Sequence, residues 1–295
     1  MLARDSSEVT EKHGFHRTGA YPSRLTADPP DPILRRVALQ YLPIRDAHEV
    51  RAFLARTPLA VDRERFTRFV LGFPHRYLEA TPTIEVVKHF ALVESLGARS
   101  LASCLSREGE LFKLAVVAAE RRFLFSRIAG SLLAFGANIV AAEAFANTAK
   151  LVLDTFVVAD LSGRLARPEE GRRLHGFLEG VIAGRIDLDL QVEAPATLQG
   201  LALEWDDGAH PNATLLRLRC RDALGLLYVV SRRLSEAGCD IEIAHVETPG
   251  GSVADSFCLS AAGRKLSREM KGDVEARLGA RPRPDPLGAR VGSIR

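Results

Sequence analysis

The chain has few aromatic residues, few cysteines and no long apolar segment in its 295 residues. Aromatic side chains make up 6% of the sequence, which is little for a surface that stacks nucleic-acid bases on exposed rings. No apolar run approaches the roughly 18 residues that a membrane helix needs. The first residues, MLARDSSEVTEKHGFH, contain no apolar segment typical of a signal peptide. We therefore expect a cytoplasmic protein that contacts neither a membrane nor nucleic acid.

The sequence also lacks a strong charge bias and the usual spacing of metal ligands. Its 40 Lys and Arg residues nearly balance 37 Asp and Glu residues, so the net charge of +3 gives no reason to expect a polyanionic partner. His13 and His16 are close together, but a zinc site needs three or four converging ligands. The cysteines have no CxxC spacing and are expected to be buried thiols: Cys104, Cys220, Cys239 and Cys258. No metal and no cofactor is predicted.

An internal repeat is the most informative feature that the sequence does contain. The segment 120–158 aligns with the segment 222–259, with one turn a residue shorter in the second copy. The aligned pairs are Leu124 with Leu226, Leu132 with Leu234, Gly136 with Gly238, Ile139 with Ile241, Ala142 with Ala244, Asp154 with Asp255 and Phe156 with Phe257. Two copies of one unit fix the architecture before single residues are interpreted, and they allow a site shared between the copies.

In each copy the hydrophobic periodicity predicts the order strand, helix, strand, strand, helix, strand. In the first copy the strands are expected at 111–119, Asn138–Phe145, 151–158 and Ile186–Val192, the last one a half-buried edge strand. In the second copy they are expected at Leu215–Cys220, Ile241–Val246 and Val253–Leu259, with Leu201–Trp205 completing a sheet. This order is typical of an α+β fold with two ferredoxin-like βαββαβ units in tandem, each an antiparallel four-stranded sheet with two helices on one face.

The segments that flank the repeat complete the predicted organisation. Short helical patterns occur at Ile33–Tyr41, Asp46–Leu54 and Glu64–Leu71, and a longer helix is expected to be capped by Thr81, begun by Pro82 and ended by Gly97. The predicted divisions are a disordered leader at 1–31, a small helical N-terminal region at 32–108, repeat units at 109–195 and 199–280, and a disordered tail at 281–295.

The turn between the first strand and the first helix of each copy is the most constrained feature for chemistry. In the second copy it comprises Asp222, Ala223, Leu224, Gly225 and Leu226, with Gly225 suited to a positive φ. The helix that follows presents unpaired N–H groups and a positive dipole end, which can hold a carboxylate. Asp240 and Ile241 open the next strand, where we expect Asp240 to face this turn and to accept from an ammonium group. Binding both ends of an amino acid is one interpretation; a helix-start glycine and a strand-capping aspartate without a ligand is the other.

The second copy resembles the ACT domain, a small-molecule sensing module of amino-acid metabolism. The pattern is D-x-x-G-L, a helix, then G-x-[ND]-I, formed here by Asp222, Gly225, Leu226, Gly238, Asp240 and Ile241. The first copy matches through Gly136, Asn138 and Ile139, with Leu124 at the helix start, and the resemblance makes Asn138, Ile139 and Leu124 candidate ligand-binding residues. It has Phe123 in place of the glycine. Phenylalanine adopts positive φ only at a cost and would fill the space that a ligand needs. The first copy is therefore expected to be a structural partner.

A longer stretch, about 73–278, is similar to the C-terminal part of the bifunctional protein-PII uridylyltransferase and uridylyl-removing family. The similarity rests on FPHRYLEATP ahead of the repeat, on LDTFVVAD in the first copy and on GLLYVVSRRLSEAGCDIEIAHVET in the second. A tandem ACT pair senses glutamine in that family. The resemblance therefore implies a regulatory sensor of a free amino acid in nitrogen metabolism, with glutamine as the expected ligand.

The residues for the two chemical activities of that family are missing from the sequence. Nucleotidyl transfer of this kind needs a Gly-Ser turn followed by paired carboxylates that hold magnesium. The only D-x-D, Asp187 and Asp189, lies on the predicted edge strand and is expected to face solvent, and no His-Asp pair for a metal-dependent hydrolase occurs. We predict a protein without catalytic residues, whose partners are a free amino acid and either a second copy of the chain or a regulated protein. The alternatives are a divergent uridylyltransferase and a ferredoxin-like nucleic-acid binder.

Overall fold

A computed structural model describes residues 46–56, 61–194, 197–247 and 252–279 of the chain. Within these residues, eight strands form one antiparallel sheet with helices on both of its faces. The predicted leader, the helical pattern at Ile33–Tyr41 and the predicted tail lie outside the described residues.

The helices ahead of the sheet begin and end at signals that the sequence carries. They are α1 (Ala47–Arg56), α2 (Arg63–Gly72), α3 (His75–Ala80) and α4 (Thr83–Leu96). The side chain of Asp62 caps α2 by accepting from the N–H groups of Glu64 and Arg65. The predicted cap by Thr81 is wrong, because Pro82 holds the cap position and no side chain caps α4. Gly97 ends α4 with φ 53°, as predicted.

Each repeat unit contains four strands and two helices, and the helices and inner strands lie where the periodicity predicts them. The first unit comprises β1 (Leu101–Glu108), β2 (Leu111–Ala119), α5 (Leu124–Ala134), β3 (Ala137–Ala146), β4 (Leu151–Asp160) and α6 (Pro168–Ile182). The second unit comprises β5 (Ala202–Asp206), β6 (Thr214–Arg221), α7 (Leu226–Glu236), β7 (Asp240–Glu247), β8 (Ser252–Ser260) and α8 (Arg268–Leu278).

The strand order makes the two units halves of a single sheet. The order is β1-β2-β4-β3-β7-β8-β6-β5, so equivalent strands follow one another in the same succession from either edge. β3 and β7 join the halves as antiparallel neighbours, with Ala144 opposite Ala244 and Glu143 opposite His245. Glu143 and His245 are equivalent residues of the repeat. An approximate two-fold axis therefore passes between the two central strands.

The outer edge of the first unit is not formed by the predicted segment. The prediction of a strand at Ile186–Val192 is wrong, because Leu188–Leu190 forms a short 3-10 helix instead. The carboxylate of Asp187 accepts from the N–H of Asp189 and so favours this local turn over a strand ladder. The edge is taken by β1, which pairs with β2 along its whole length. The prediction of a helical region up to residue 108 is therefore wrong for Leu101–Glu108.

The outer edge of the second unit is formed as predicted. The segment Leu201–Trp205 was expected to complete a sheet, and β5 pairs with β6 there, with Leu203 opposite Leu218. Each edge strand thus comes first in its unit. The connection order becomes ββαββα, while the four-stranded antiparallel arrangement of the ferredoxin-like plan is kept.

Both faces of the sheet are buried, each by its own set of helices. The helices α5 to α8 cover one face and enclose Phe156 and Phe257 from the strands. The helices α1 to α4 pack against the opposite face, where they meet Phe145 of the first unit and Ile243 of the second. The N-terminal helices therefore contact strands of both units.

The cysteines of the chain are free thiols. Cys220, Cys239 and Cys258 are buried as predicted, but Cys104 is exposed because it lies on the edge strand β1. No helix in the described ranges is long and apolar enough to cross a membrane.

A cluster of ionisable side chains lies between α3, α4 and β2. Tyr77 Oη is 3.0 Å from His89 Nδ1, and Glu85 accepts from Lys88 Nζ at 2.7 Å and from Lys113 Nζ at 2.8 Å. Burial lowers the pKa of His89 to about 4. Burial acts to raise the pKa of Glu85, but the two ammonium groups outweigh it and lower that pKa to about 2. The fold thus holds a neutral imidazole beside an ionised carboxylate.

The neutral state of His89 is expected to make the fold sensitive to acid. An unfolded histidine with a pKa of 6.5 takes up its proton before the buried one does, so the free energy of unfolding falls as the pH drops from 6.5 toward about 4. Glu85 adds a separate loss between pH 4.5 and about 2. We expect His89→Gln to remove the first loss, which is on the order of 3 kcal/mol, in urea unfolding measured across pH. The exposed His75→Gln should leave it in place; an unchanged profile for His89→Gln would contradict this assignment.

Candidate ligand sites between the units

The two turns at the helix starts have the same backbone shape although their residues differ. Phe123 at the N-cap of α5 has φ 64° and ψ 8°, and Gly225 at the N-cap of α7 has φ 79° and ψ 6°. Left-handed backbone is accessible to glycine but costs other residues about 1–2 kcal/mol. The first unit keeps this turn in spite of the cost, and strain of this kind clusters at functional sites.

Each turn is followed by a helix start with N–H groups that lack backbone acceptors. Leu124 donates to the carbonyl of Arg121 at 3.2 Å, and Leu226 donates to the carbonyl of Ala223 at 3.0 Å. Within the described residues, no backbone carbonyl accepts from the next two N–H groups of either helix, those of Phe125 and Ser126 in α5 and of Leu227 and Tyr228 in α7. Together with the helix dipole, these groups create a place for an anionic group.

Each turn borders a cavity that the other unit closes. The first cavity is lined by residues 120–125, Ala144, Lys150, Val152 and Asp154 of the first unit and by Ser235, Cys239, Asp240 and Ile241 of the second. The second cavity is lined by Ala129, Leu133, Ala137, Asn138 and Ile139 of the first unit and by Asp222, Ala223, residues 225–228, Val246, Val253 and Asp255 of the second. Because β3 and β7 are antiparallel neighbours, the start of each strand reaches the turn of the other unit.

The structure divides the predicted ligand residues between these two cavities. Asp240 was expected to face the turn that contains Gly225, and this expectation is wrong, since Asp240 lines the first cavity beside Leu124, together with Ile241. Asn138 and Ile139 line the second cavity instead, together with the turn residues Asp222, Ala223, Gly225 and Leu226. Leu224 is 48% exposed and lies outside both sets of lining residues. The pairing of β3 with β7 causes the exchange, because it places each strand start against the opposite unit.

The two cavities differ greatly in volume. The first measures about 270 Å³, whereas the second measures about 20 Å³, which is space for roughly one water molecule. Tyr228 lines the second cavity, and its equivalent in α5 is the much smaller Ser126. The expectation that Phe123 fills the ligand space of the first unit is wrong, since the larger cavity lies beside it.

A buried aspartate lines each cavity, at equivalent positions of the repeat. Asp154 on β4 lines the first cavity and is 1% exposed; Asp255 on β8 lines the second and is 2% exposed. Burial raises the pKa of Asp154 well above its ordinary value. The two residues are aligned in the repeat, but neither was predicted to belong to a site. The available signal was an aspartate that recurs at the same position of an otherwise apolar strand.

The basic side chains around the first cavity are bonded to other groups. Lys150 lies 3.0 Å from a carboxylate oxygen of Glu120. Arg121 donates to the carbonyl of Ile182 at 3.3 Å, and Arg122 donates to the carbonyl of Ser235 at 2.8 Å. Arg122 thereby ties the first-unit turn to the end of α7, while its guanidinium group stacks 5.1 Å above the ring of Phe123.

Asp240 brings a second carboxyl group to the first cavity, from the other unit. Burial and the nearby carboxylates of Glu120 and Glu242 raise its pKa. A cation that entered the cavity would relieve this repulsion, so Asp240 favours a positively charged group there.

The two aspartates of the D-x-D pair are exposed as predicted, but they do not lie on a strand. Asp189 accepts from Tyr228 Oη at 2.6 Å and pairs with Arg232, while its side chain is 52% exposed. The bond from Tyr228 lowers the pKa of Asp189. These contacts of Asp189 hold the segment between α6 and β5 against α7, beside the second cavity. Among the described residues, no group of three or more His, Cys, Asp or Glu side chains is placed to hold a metal ion.

The fold and its cavities define the class of protein. Two ferredoxin-like units form one sheet through equivalent central strands, α5 packs beside its equivalent α7, and a cavity lies between each helix start and the opposite unit. This arrangement is a tandem pair of ferredoxin-like units that resembles paired ACT domains, and a helical layer covers the back of the sheet.

Comparisons with known proteins extend this classification. No family model matches the chain. Its curated relatives include bifunctional uridylyltransferase/uridylyl-removing enzymes of three bacteria. The enzyme of Phenylobacterium zucineum is 30% identical over 207 residues, which cover 66% of this chain and 22% of the relative. The enzyme of Gluconobacter oxydans is 31% identical over 156 residues (49% of this chain and 16% of the relative), and that of Ralstonia nicotianae is 27% identical over 247 residues (80% of this chain and 27% of the relative). The chain therefore spans roughly a fifth of the length of these relatives.

Among solved structures, aspartate kinase from Synechocystis matches with a TM-score of 0.34 at 17% identity, covering 58% of this chain and 26% of that chain. A similarity at this level carries no further argument. The chain is similar in sequence to part of the bifunctional uridylyltransferase/uridylyl-removing enzyme, and its two units resemble a tandem pair of ACT domains.

Proposed function

We propose that the chain is a non-catalytic regulatory sensor that binds a free amino acid in the first cavity. The observation that carries this proposal is the cavity itself, which has about 270 Å³ of space between the two units. It offers a place for each charged end of an amino acid. The N–H groups at the start of α5 suit the carboxylate, and Asp240 from the other unit suits the ammonium group.

Glutamine is the ligand we propose. The support comes from sequence, because a tandem ACT pair like this one resembles the glutamine-sensing pair of the uridylyltransferase family. A role in nitrogen or amino-acid metabolism follows from the same resemblance.

The helices on the back of the sheet are the proposed route of the output. A ligand in the first cavity contacts both units at once, so it favours one relative position of β3 and β7. The helices α1 to α4 pack against Phe145 of one strand and Ile243 of the other. A change at this junction therefore reaches the helical layer, which we propose as the surface for a regulated protein or for a second copy of the chain.

Uridylyl transfer is the alternative function, favoured by the names of the curated relatives. Each of those relatives is several times longer than the matched region, so the similarity covers only part of what they contain. Incubation with labelled UTP and a PII-type protein distinguishes the two proposals. We expect no transfer, and transfer above a boiled control would favour the enzyme.

The sensor predicts that one or a few amino acids raise the thermal stability of the chain. A ligand that binds only the folded state stabilises it by about 2.7 kcal/mol at a concentration one hundred times its Kd. We expect L-glutamine to give the largest rise in Tm when each of the twenty amino acids is tested, with D-glutamine as the matched control. Unchanged Tm values throughout the millimolar range would remove the proposal.

A further inference from the structure

The first cavity contains a buried carboxyl group for which the protein supplies no partner. Asp154 lies on the same face of β4 as Val152, and both residues line the cavity. Asp154 is 1% exposed, and within the described part of the chain neither of its carboxyl oxygens has a hydrogen-bond partner. An unsatisfied buried polar group destabilises the fold, so a purely structural position would be better filled by an apolar side chain.

None of the ionisable groups described around Asp154 supplies a positive charge to its carboxyl group. Those that line the cavity with it are Glu120, Arg121, Arg122, Lys150, Cys239 and Asp240. The three basic side chains are bonded to Ile182, to Ser235 and to Glu120, and none of them reaches Asp154. Burial raises the pKa of the Cys239 thiol to about 11, so it is uncharged at neutral pH. A cation beside Asp154 therefore has to come from outside the chain.

We infer that Asp154 recognises the ammonium group of the ligand in the first cavity and gives up its proton when the ligand binds. This inference rests on the proposed function and adds the residue that selects for a free amino group. In the empty cavity burial favours the neutral acid, because it raises the pKa of Asp154. An ammonium group in contact favours the carboxylate, the O–H bond breaks, and the proton leaves to the solvent. The charges of the resulting ion pair then compensate each other inside the cavity.

Specificity and pH dependence follow from this exchange. Analogues in which the amino group is acylated or replaced by a carbonyl carry no ammonium group and should not ionise Asp154. Because binding releases one proton, affinity should rise about tenfold per pH unit over the range in which the empty site is protonated and the occupied site is ionised.

The equivalent aspartate of the second unit provides a matched control. Asp255 lines a cavity of about 20 Å³, which has no room for an amino acid. Asp255→Asn therefore removes a buried carboxyl group from the equivalent strand position without touching the larger cavity.

The test is calorimetric titration of the full chain with L-glutamine in phosphate and in Tris, two buffers whose protonation enthalpies differ. We expect release of about one proton per ligand for the wild type and for Asp255→Asn. For Asp154→Asn we expect at least tenfold weaker binding, and the proton release and the pH dependence should fall to the smaller share that Asp240 contributes. N-acetyl-L-glutamine should not bind any of the three proteins.

The possible outcomes separate the inference from the proposed function. If no amino acid binds the wild type, both fail. If the wild type binds L-glutamine without releasing a proton, or if Asp154→Asn binds like the wild type, the inference alone is overturned. Urea unfolding without ligand supplies a second test: Asp154→Asn and Asp154→Leu should be at least as stable as the wild type, and a loss of stability in both would indicate a structural role instead.

Discussion

Phe156→Ala and Phe257→Ala should each lower the free energy of unfolding by about 3–5 kcal/mol, and each should do so for both units at once. Both rings are fully buried, at equivalent positions of the two units. Phe156 packs against Phe125 of α5 with 5.1 Å between ring centroids. Since strand pairing continues without a break from β1 to β5, we expect the two units to unfold as one cooperative body.

Trp205 makes this expectation measurable. It is the only tryptophan of the chain and lies on β5 of the second unit, where its Nε1 donates to Glu275 at 2.8 Å. Urea unfolding followed by its fluorescence reports directly on the second unit, and Phe156→Ala should nevertheless shift the midpoint about as far as Phe257→Ala. Leu190→Ala serves as the control, because that side chain is 80% exposed. A tryptophan transition that Phe156→Ala leaves in place would mean that the units unfold separately.

Alanine at two helical glycines should have opposite effects. We expect Gly130→Ala to destabilise the chain by about 1–3 kcal/mol and Gly176→Ala to stabilise it by up to about 1 kcal/mol. A Cβ at Gly130 of α5 would lie 2.5 Å from Leu188 and 2.8 Å from the ring of Tyr228, whereas a Cβ at Gly176 of α6 would meet nothing within 4 Å. Both substitutions gain the same intrinsic helix propensity. The difference between their effects on the free energy of unfolding therefore measures the steric cost of a Cβ at Gly130.

Thermal unfolding of the two variants measures this difference. Gly130 is the point where α5 touches both α7, through Tyr228, and the segment between the units, through Leu188. A lower Tm for Gly130→Ala beside a higher Tm for Gly176→Ala would agree with the close packing of the two units. Equal stabilisation by both substitutions would place α5 and α7 farther apart than described here.

The elements of the repeat could be predicted because their signals are local. The helix face of Leu226, Val230 and Leu234 is read from spacing alone, and all three residues are buried in α7. The positive φ of Gly225 is likewise a local requirement of the turn, and it is observed. Signals of this kind need no knowledge of the rest of the fold.

The edge strand of the first unit could not be predicted in the same way, because two segments compete for one position. The segment Ile186–Val192 alternates more regularly between apolar and polar residues than Leu101–Glu108 does. Only the first two residues of β1 are buried and the rest are largely exposed, so its apolar signal is weak. The N–H of Asp189 donates to the side chain of Asp187, and this local hydrogen bond favours a short helix over the strand that the stronger pattern predicts.

The turns that border the two cavities were singled out from the sequence, but the residues that the opposite unit contributes to each cavity were not. Each turn was interpreted within one unit, and the sequence gives no register for β3 against β7, which brings Asp240 to the turn of Phe123. The recurrence of Asp154 and Asp255 was visible, but their role depends on burial beneath the helix starts. Burial of a polar residue on an apolar strand becomes known only when the layers are assembled.

Because both units belong to one polypeptide, their sequences can differ, and so can their cavities. In a symmetric dimer of single units every substitution appears twice, so two equivalent cavities open or close together. Here Ser126 and Tyr228 hold equivalent positions, and only the cavity of the first unit has room for more than about one water molecule. In the proposed sensor, a ligand that enters only the larger of these two cavities fills one site per chain, so its occupancy rises along a hyperbola if the sites of different chains do not interact.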